Sequence, residues 1–151
     1  MIDGVVVKKL KAHCDERGRL MELLRRDDPF FSEFGQAYVT TAYPGVAKAW
    51  HYHKQQVDHF VVLAGMAKIV LYDGREGSPT KGELNEFFAG VHNPILIRIP
   101  QLVYHGMKGI SETEALILNL PSRPYNHADP DEHRLPAHTP EIPYDWSRKD
   151  G

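Results

Sequence analysis

Three histidines and an aspartate lie within the twelve residues AWHYHKQQVDHF, residues 49–60. His51 and His53 are two residues apart, so in a β-strand their side chains share one face. Asp58 follows after the four-residue link KQQV, and His105 lies in the later segment IPQLVYHGM. Imidazole and carboxylate groups bind zinc, iron, manganese or nickel, and they also transfer protons. The four residues are therefore predicted to hold a divalent metal or to act as acids and bases.

The elements that must position these side chains are short apolar runs separated by turn residues. The runs are rich in Val, Ile, Leu and Tyr, which is typical of strands. Helical periodicity is scarce, and only DDPFFSEFG indicates one short turn. Many short strands predict an all-β fold, an antiparallel sandwich or barrel. The predicted strands are GVVVKKL, RLMELL, QAYVTTAY, HFVVLAG, MAKIVLYDG, NPILIRIP and EALILNL.

Length and composition indicate one globular domain spanning residues 1–151. The 18 Lys and Arg residues nearly balance 20 Asp and Glu residues, so neither nucleic acid nor a membrane is expected as a partner. Cys14 is the single cysteine, which excludes an internal disulfide. No apolar run is long enough for a signal peptide or a membrane span, so a cytoplasmic location is predicted.

Prolines recur from about Pro121 onward and predict an irregular C-terminal tail. This tail is expected to pack across the barrel through its apolar side chains, Tyr125, Leu135, Ile142, Tyr144 and Trp146.

The spacing around the histidines resembles the first motif of the cupin superfamily, with Asp in place of the usual Glu, in residues Gly45, His51, His53, Asp58 and Gly65. Pro100 and His105 are similarly placed to the Pro and His of the second cupin motif, and Leu102 stands where that motif has Gly. The resemblance implies a cupin-type jelly-roll barrel with these side chains inside. His59 faces away from Asp58 along the strand and is predicted to be structural.

Most of the chain, from about Asp15 to Trp146, resembles one cupin branch, the dTDP-4-dehydrorhamnose 3,5-epimerases. DERGRLMEL, QAYVTTAYPGVAKAWH, YDGREGSPTKG, IPQLVYHGM and TPEIPYDW are similar to motifs of that family in the same order. The resemblance implies a homodimeric isomerase of carbohydrate biosynthesis that requires no cofactor. Its substrate would be a small nucleotide sugar, a dTDP-4-keto-6-deoxyhexose such as that of rhamnose biosynthesis, which loses a proton next to the ketone.

The resemblance also assigns roles to individual residues. His51 would be the base, and His105 would lie near the C4 oxygen. Arg17 and Lys48 would hold the diphosphate. The full set of implied substrate-binding residues is Arg17, Glu22, Gln36, Lys48, Asn119, Tyr125 and Glu132.

Three catalytic positions of the family are changed in this sequence. The family's lysine is replaced by Asp58, its tyrosine by Asn119, and the aspartate that orients the base by Thr139. Neither Asn119 nor Thr139 titrates in the useful range, so neither can assume the lost role. In addition, Tyr38 stands where the family has Asn.

These changes leave three alternatives open. A metal held by His51, His53, Asp58 and His105 would polarise the C4 ketone, with His51 as a ligand rather than the base. Sugar-nucleotide 3,4-ketoisomerases are similarly short cupins in which an H-x-H pair, here His51 and His53, works as acid and base. A non-catalytic cupin that binds a sugar or a metal is favoured by the loss of three catalytic groups.

Overall fold

Twelve short β-strands form the protein in a computed structural model that describes residues 1–150. These residues contain no helix, and hence none long and apolar enough to cross a membrane. The strands are Val6–Lys9 (β1), Ala12–Asp15 (β2), Gly18–Met21 (β3), Tyr38–Ala42 (β4), Ala47–Tyr52 (β5), Asp58–Ala64 (β6), Met66–Tyr72 (β7), Leu84–Gly90 (β8), Ile95–Ile99 (β9), Tyr104–Gly109 (β10), Ala115–Asn119 (β11) and His133–Arg134 (β12).

Two five-stranded antiparallel sheets face each other. The first sheet has the order β1-β9-β6-β11-β4 and the second has the order β12-β5-β10-β7-β8, while β2 and β3 form a separate hairpin. The facing surfaces enclose aliphatic side chains that include Ile69, Ile97 and Ile117, each fully buried. Burial of this apolar surface is the main favourable contribution to folding. The predicted all-β jelly roll is confirmed.

Each of the seven predicted apolar runs overlaps a strand, but β2, β5, β8, β10 and β12 lie outside those runs. β8 has the sequence LNEFFAG and lies at the edge of the second sheet, where one face of a strand remains in contact with water. Its polar residues therefore interrupt the run of apolar residues that would have indicated a strand in the sequence. DDPFFSEFG forms turns and no helix.

The tail packs on the outer surface of the second sheet, as predicted. Ile142 and Trp146 are buried against Trp50, whose side chain points away from the core. Leu135 exchanges two backbone hydrogen bonds with Trp50, at 2.8 and 3.0 Å. The tail thus extends the second sheet at β5, the strand that carries His51.

The segment YDGREGSPTKG builds a buried network around one carboxylate. Asp73 is fully buried and accepts hydrogen bonds from the Arg75 guanidinium at 2.8 Å and from the Ser78 and Thr80 hydroxyls, each at 2.6 Å. The hydrogen bond from Arg75 holds the pKa of Asp73 well below its usual range. The S-P-T sequence therefore has a structural role in this chain.

We expect Asp73→Asn to lower the free energy of unfolding by about 3 kcal/mol at neutral pH, because the partly buried Arg75 guanidinium and two hydroxyls lose their charged acceptor. A depressed carboxyl pKa stabilises the folded state above the unfolded-state pKa, and this stabilisation disappears as the pH falls. The difference between wild type and variant should thus shrink below about pH 4. Urea unfolding of both proteins at neutral pH and below pH 4 measures this difference in the free energy of unfolding.

The matched control is Asp27→Asn, which removes an exposed ion pair with Arg25 and should leave the urea midpoint unchanged. An unchanged midpoint for Asp73→Asn at neutral pH would contradict a structural role for the network.

Candidate active site in the barrel

An open cavity of 1140 Å³ lies between the barrel and the tail. This volume is slightly above the range of about 300 to 1,000 Å³ that is usual for small-molecule sites. Three residues predicted to bind substrate, Gln36, Tyr125 and Glu132, line the cavity together with His53. Tyr125 was expected to anchor the tail, but it is 44% exposed because it forms part of the cavity wall.

A buried carboxylate with two imidazoles lies beside this cavity. Asp58 begins β6 and is 1% exposed. Its Oδ2 atom lies 3.2 Å from Nε2 of His53 and 3.3 Å from Nε2 of His105. We call His53, Asp58 and His105 the Asp58 cluster. His51 lies outside it, so the structure brings together three of the four predicted metal ligands.

Both imidazoles of the Asp58 cluster are fixed by backbone carbonyls. Nδ1 of His53 donates to the carbonyl of Asp131, and Nδ1 of His105 donates to the carbonyl of Val103 at 3.1 Å. A carbonyl can only accept, so each Nδ1 carries the hydrogen. In the neutral tautomer each Nε2 therefore presents a lone pair to the Asp58 carboxylate. A positive charge, either a proton or a metal ion, is needed between them.

The other oxygen of Asp58 is fully occupied. Oδ1 accepts hydrogen bonds from the side-chain amides of Gln56 at 2.6 Å and Asn119 at 2.9 Å. Burial acts to raise the pKa of Asp58, but the His105 and His53 rings, when they carry a proton on Nε2, hold it well below its ordinary value. The carboxylate is therefore ionised, and Oδ2, which makes no hydrogen bond of normal geometry, faces the two ring nitrogens.

The spacing of the Asp58 cluster fits a divalent metal. In a tetrahedral site with bonds of about 2.0 to 2.1 Å, neighbouring ligand atoms lie about 3.3 Å apart. The two nitrogen–oxygen distances at Oδ2 are 3.2 and 3.3 Å. The donation of each Nδ1 to a carbonyl is also the usual arrangement around a metal-binding histidine.

His51 instead pairs with a carboxylate from the tail. Its Nδ1 lies 3.0 Å from Oε1 of Glu132, which precedes β12. Burial, followed by the nearby His105, lowers the pKa of His51, so the ring is neutral near pH 7. Burial acts to raise the pKa of Glu132, but its hydrogen bond with Arg134 and the His51 ring bring it below its ordinary value. With Nδ1–H donating to an ionised Glu132, Nε2 is the nitrogen left to take a proton.

The other predicted substrate-binding residues, among them the two phosphate ligands Arg17 and Lys48, lie outside the cavity lining. Arg17 is exposed on the β2–β3 hairpin and forms an ion pair with Asp15 at 2.6 Å. Glu22 follows the hairpin and pairs with Arg25 at 2.7 Å. Lys48 donates to the Thr40 hydroxyl at 2.6 Å. Their roles in binding stay predictions.

The structure places His59 as predicted, away from the Asp58 cluster. Its ring is buried and Nδ1 donates to the carbonyl of Leu120 at 2.8 Å. Leu102, which replaces the glycine of the second cupin motif, keeps a left-handed backbone with φ of 64°. Its N–H donates to the carbonyl of His53 at 2.7 Å and so helps to position that residue.

Three contributors to the site were not predicted from the sequence: the amide of Gln56, the carbonyl of Asp131 and the hydroxyl of Tyr38. Gln56 lies two residues before Asp58, which places both on one face of an extended segment, so its contact with the carboxylate had a local signal. Asp131 had no such signal, and Tyr38 was noted only as the residue that stands where the family has Asn. The pairing of Glu132 with His51 was also missed, because Glu132 was assigned to substrate binding.

Comparison with known proteins identifies the family. Residues 13–133 match the family described as the polysaccharide biosynthesis C-terminal domain. The chain is 45% identical over 147 residues to the spore coat polysaccharide biosynthesis protein SpsL of Bacillus subtilis, with 97% of each chain covered. It is 43% identical to the probable low-salt glycan biosynthesis epimerase Agl13 of Haloferax volcanii, covering 97% of this chain and 95% of that protein.

Solved structures agree with this assignment. A dTDP sugar isomerase from Desulfovibrio desulfuricans G20 superimposes with a TM-score of 0.91 and is 35% identical, covering 99% of this chain and 94% of the isomerase. Solved dTDP-4-dehydrorhamnose 3,5-epimerases have the same fold. The chain therefore belongs to the polysaccharide biosynthesis C-terminal domain family and has the jelly-roll cupin fold of the dTDP-sugar epimerases.

Proposed function

We propose that this protein is a nucleotide-sugar epimerase that removes a proton next to the ketone of a dTDP-4-keto-6-deoxyhexose. The observation that carries the proposal is the His51–Glu132 pair beside the Asp58 cluster. One member of each, Glu132 and His53, lines a ligand-sized cavity, and His51 and His105 lie behind them. Relatives described as a probable epimerase and a dTDP sugar isomerase support the reaction class.

The chemistry needs a base and a group that stabilises the enolate. A hydrogen on a carbon next to a ketone is weakly acidic, because its removal places negative charge on the ketone oxygen. His51 is neutral and can accept that proton on Nε2, while Glu132 holds the ring in the required tautomer and stabilises the imidazolium that forms. This arrangement supplies the carboxylate that Thr139 does not.

Asp58, the carboxylate of the Asp58 cluster, occupies the sequence position of the family's lysine. We infer that His53, Asp58 and His105 hold a divalent metal, for which zinc, iron, manganese and nickel are all chemically suitable. When bound, such an ion would polarise the ketone and stabilise the enolate oxygen. Because His51 is outside the ligand set, metal binding does not deprive the protein of its base.

The environments of His51 and His53 distinguish this proposal from the ketoisomerase alternative. In that alternative, the two histidines of H-x-H exchange protons as an acid and a base. Here His53 is 9% exposed, and both of its nitrogens face fixed oxygen atoms of Asp58 and Asp131. His53 is thus better suited to binding than to proton transfer.

Product analysis tests the proposed reaction. Wild-type protein incubated with dTDP-4-keto-6-deoxyglucose should form a C3 or C5 epimer that still carries its ketone at C4, as read by proton NMR. A product with its ketone at C3 would support the ketoisomerase alternative. Saturable binding with no product would support a non-catalytic cupin. The homodimer and the cytoplasmic location stay predictions.

A further inference from the structure

Tyr38 brings a phenol into the same cavity from the opposite sheet. It begins β4 in the first sheet, whereas His51 lies on β5 in the second sheet. Tyr38 lines the cavity with His53 and Glu132. Across the strand pair it lies directly opposite Asn119 of β11. The hydroxyl of Tyr38 therefore reaches the buried polar groups that surround Asp58.

The orientation of Asn119 determines how this hydroxyl is used. Asn119 is fully buried, and its Oδ1 accepts the backbone N–H of His59 at 3.1 Å. Its Nδ2 must therefore donate its two hydrogens, one to Oδ1 of Asp58 and one to the hydroxyl oxygen of Tyr38, each at 2.9 Å. The oxygen of Tyr38 accepts this hydrogen bond, so its own hydrogen points elsewhere.

No other partner for that hydroxyl is found among residues 1–150, which leaves its hydrogen available to a molecule in the cavity. Burial, followed by the charge of Asp58, raises the pKa of Tyr38 to about 12. The phenol therefore keeps its proton near neutral pH. If the phenol gave up that proton, the Asn119 amide would remain in place to donate a hydrogen bond to the phenolate.

We propose that Tyr38 is the second catalytic residue of the epimerase, the acid that protonates the sugar carbon on the face opposite His51. This inference rests on the proposed function. Inversion of a carbon requires that the proton leave from one face and return to the other. His51 and Tyr38 belong to two facing sheets, so a sugar ring bound between the sheets would present one face to each residue.

The proposed reaction consists of two proton transfers, the first to His51 and the second from Tyr38. Nε2 of His51 removes the hydrogen as a proton, and the electrons of the C–H bond form the enolate. Tyr38 then gives its proton to the same carbon on the other face, the enolate electrons form the new C–H bond, and the C4 ketone is restored. The Tyr38 phenolate regains a proton from water in the open cavity, and the His51 imidazolium releases one to water.

A single experiment in deuterated water separates proton removal from inversion. NMR would follow the loss of the substrate hydrogen next to the ketone and the appearance of the epimer. For Tyr38→Phe we expect substrate exchange within about tenfold of wild type, while inversion falls by about 100-fold or more, a normal loss for a catalytic acid. The control Tyr43→Phe changes a residue that is 68% exposed and should match wild type in both rates.

The outcomes distinguish this inference from the function on which it rests. If Tyr38→Phe inverts the sugar at the wild-type rate, Tyr38 is not the acid, although the epimerase proposal stands. If Tyr38→Phe loses exchange and inversion equally, the hydroxyl serves binding or proton removal, and the inference is overturned. A wild-type protein that shows neither exchange nor inversion overturns both proposals.

Discussion

His51→Asn should lower the rate of epimer formation by about 1,000-fold, within the range usual for a general base. Asparagine can still donate a hydrogen bond to Glu132, but it cannot accept a proton near neutral pH. The fold should be unaffected, because His51 is partly exposed and is not a member of the apolar core. Initial rates by NMR and the thermal unfolding midpoint measure the two effects separately.

Glu132→Gln and His92→Asn serve as the comparisons for this prediction. Glu132→Gln should lower kcat with KM unchanged, because Glu132 orients the base. A raised KM with a normal kcat would instead support the substrate-binding role of Glu132 that the resemblance implies. His92→Asn changes an exposed histidine in a turn and should behave as wild type. A rate for His51→Asn equal to that of His92→Asn would exclude His51 as the base.

Asp58→Asn should reduce the metal content from about one ion per chain to almost none, because the charged ligand of the site is lost. The substitution keeps the shape of the side chain. Its Oδ1 can still accept from Gln56 and Asn119, and its new amide can donate to the imidazole lone pairs. The protein should therefore remain folded while losing its metal.

Metal analysis of protein purified without a histidine tag measures this effect. His53→Ala should lose the metal as well, whereas His51→Asn should retain it, because His51 is outside the Asp58 cluster. Loss of metal in His51→Asn would show that His51 is also a ligand, as in the four-ligand site predicted from the sequence. If the wild type binds no metal even after addition of zinc, an imidazolium must supply the positive charge next to Asp58.

Local patterns were sufficient to predict an all-β fold, and the predicted ligand set contained all three members of the Asp58 cluster together with His51, which lies outside it. Apolar runs indicated most strands, and the alternation of side chains along a strand placed His51 and His53 inward with Trp50 outward. The spacing to Asp58 and the proline-histidine segment then indicated the other two members of the cluster. Edge strand β8 was missed because a half-solvated strand carries polar residues.

Long-range contacts explain what the sequence did not reveal. Glu132 and His51 are 81 residues apart, and they meet because β12 pairs with β5. Tyr38 and Asn119 are also 81 residues apart and meet through the register of β4 and β11. No local pattern encodes either register. Thr139 and Asn119, which stand where the family has an aspartate and a tyrosine, thus suggested missing catalytic groups. In the mechanism that we propose, Glu132 and Tyr38 supply these groups from other positions.

The most direct test of proton removal in this cavity is the uptake of solvent deuterium by the substrate. Wild-type protein in deuterated water should remove the NMR signal of a hydrogen next to the ketone of dTDP-4-keto-6-deoxyglucose far faster than buffer alone, and His51→Asn should not. If the nucleotide sugar binds but its hydrogens exchange no faster than in buffer, the protein is not an epimerase of this substrate.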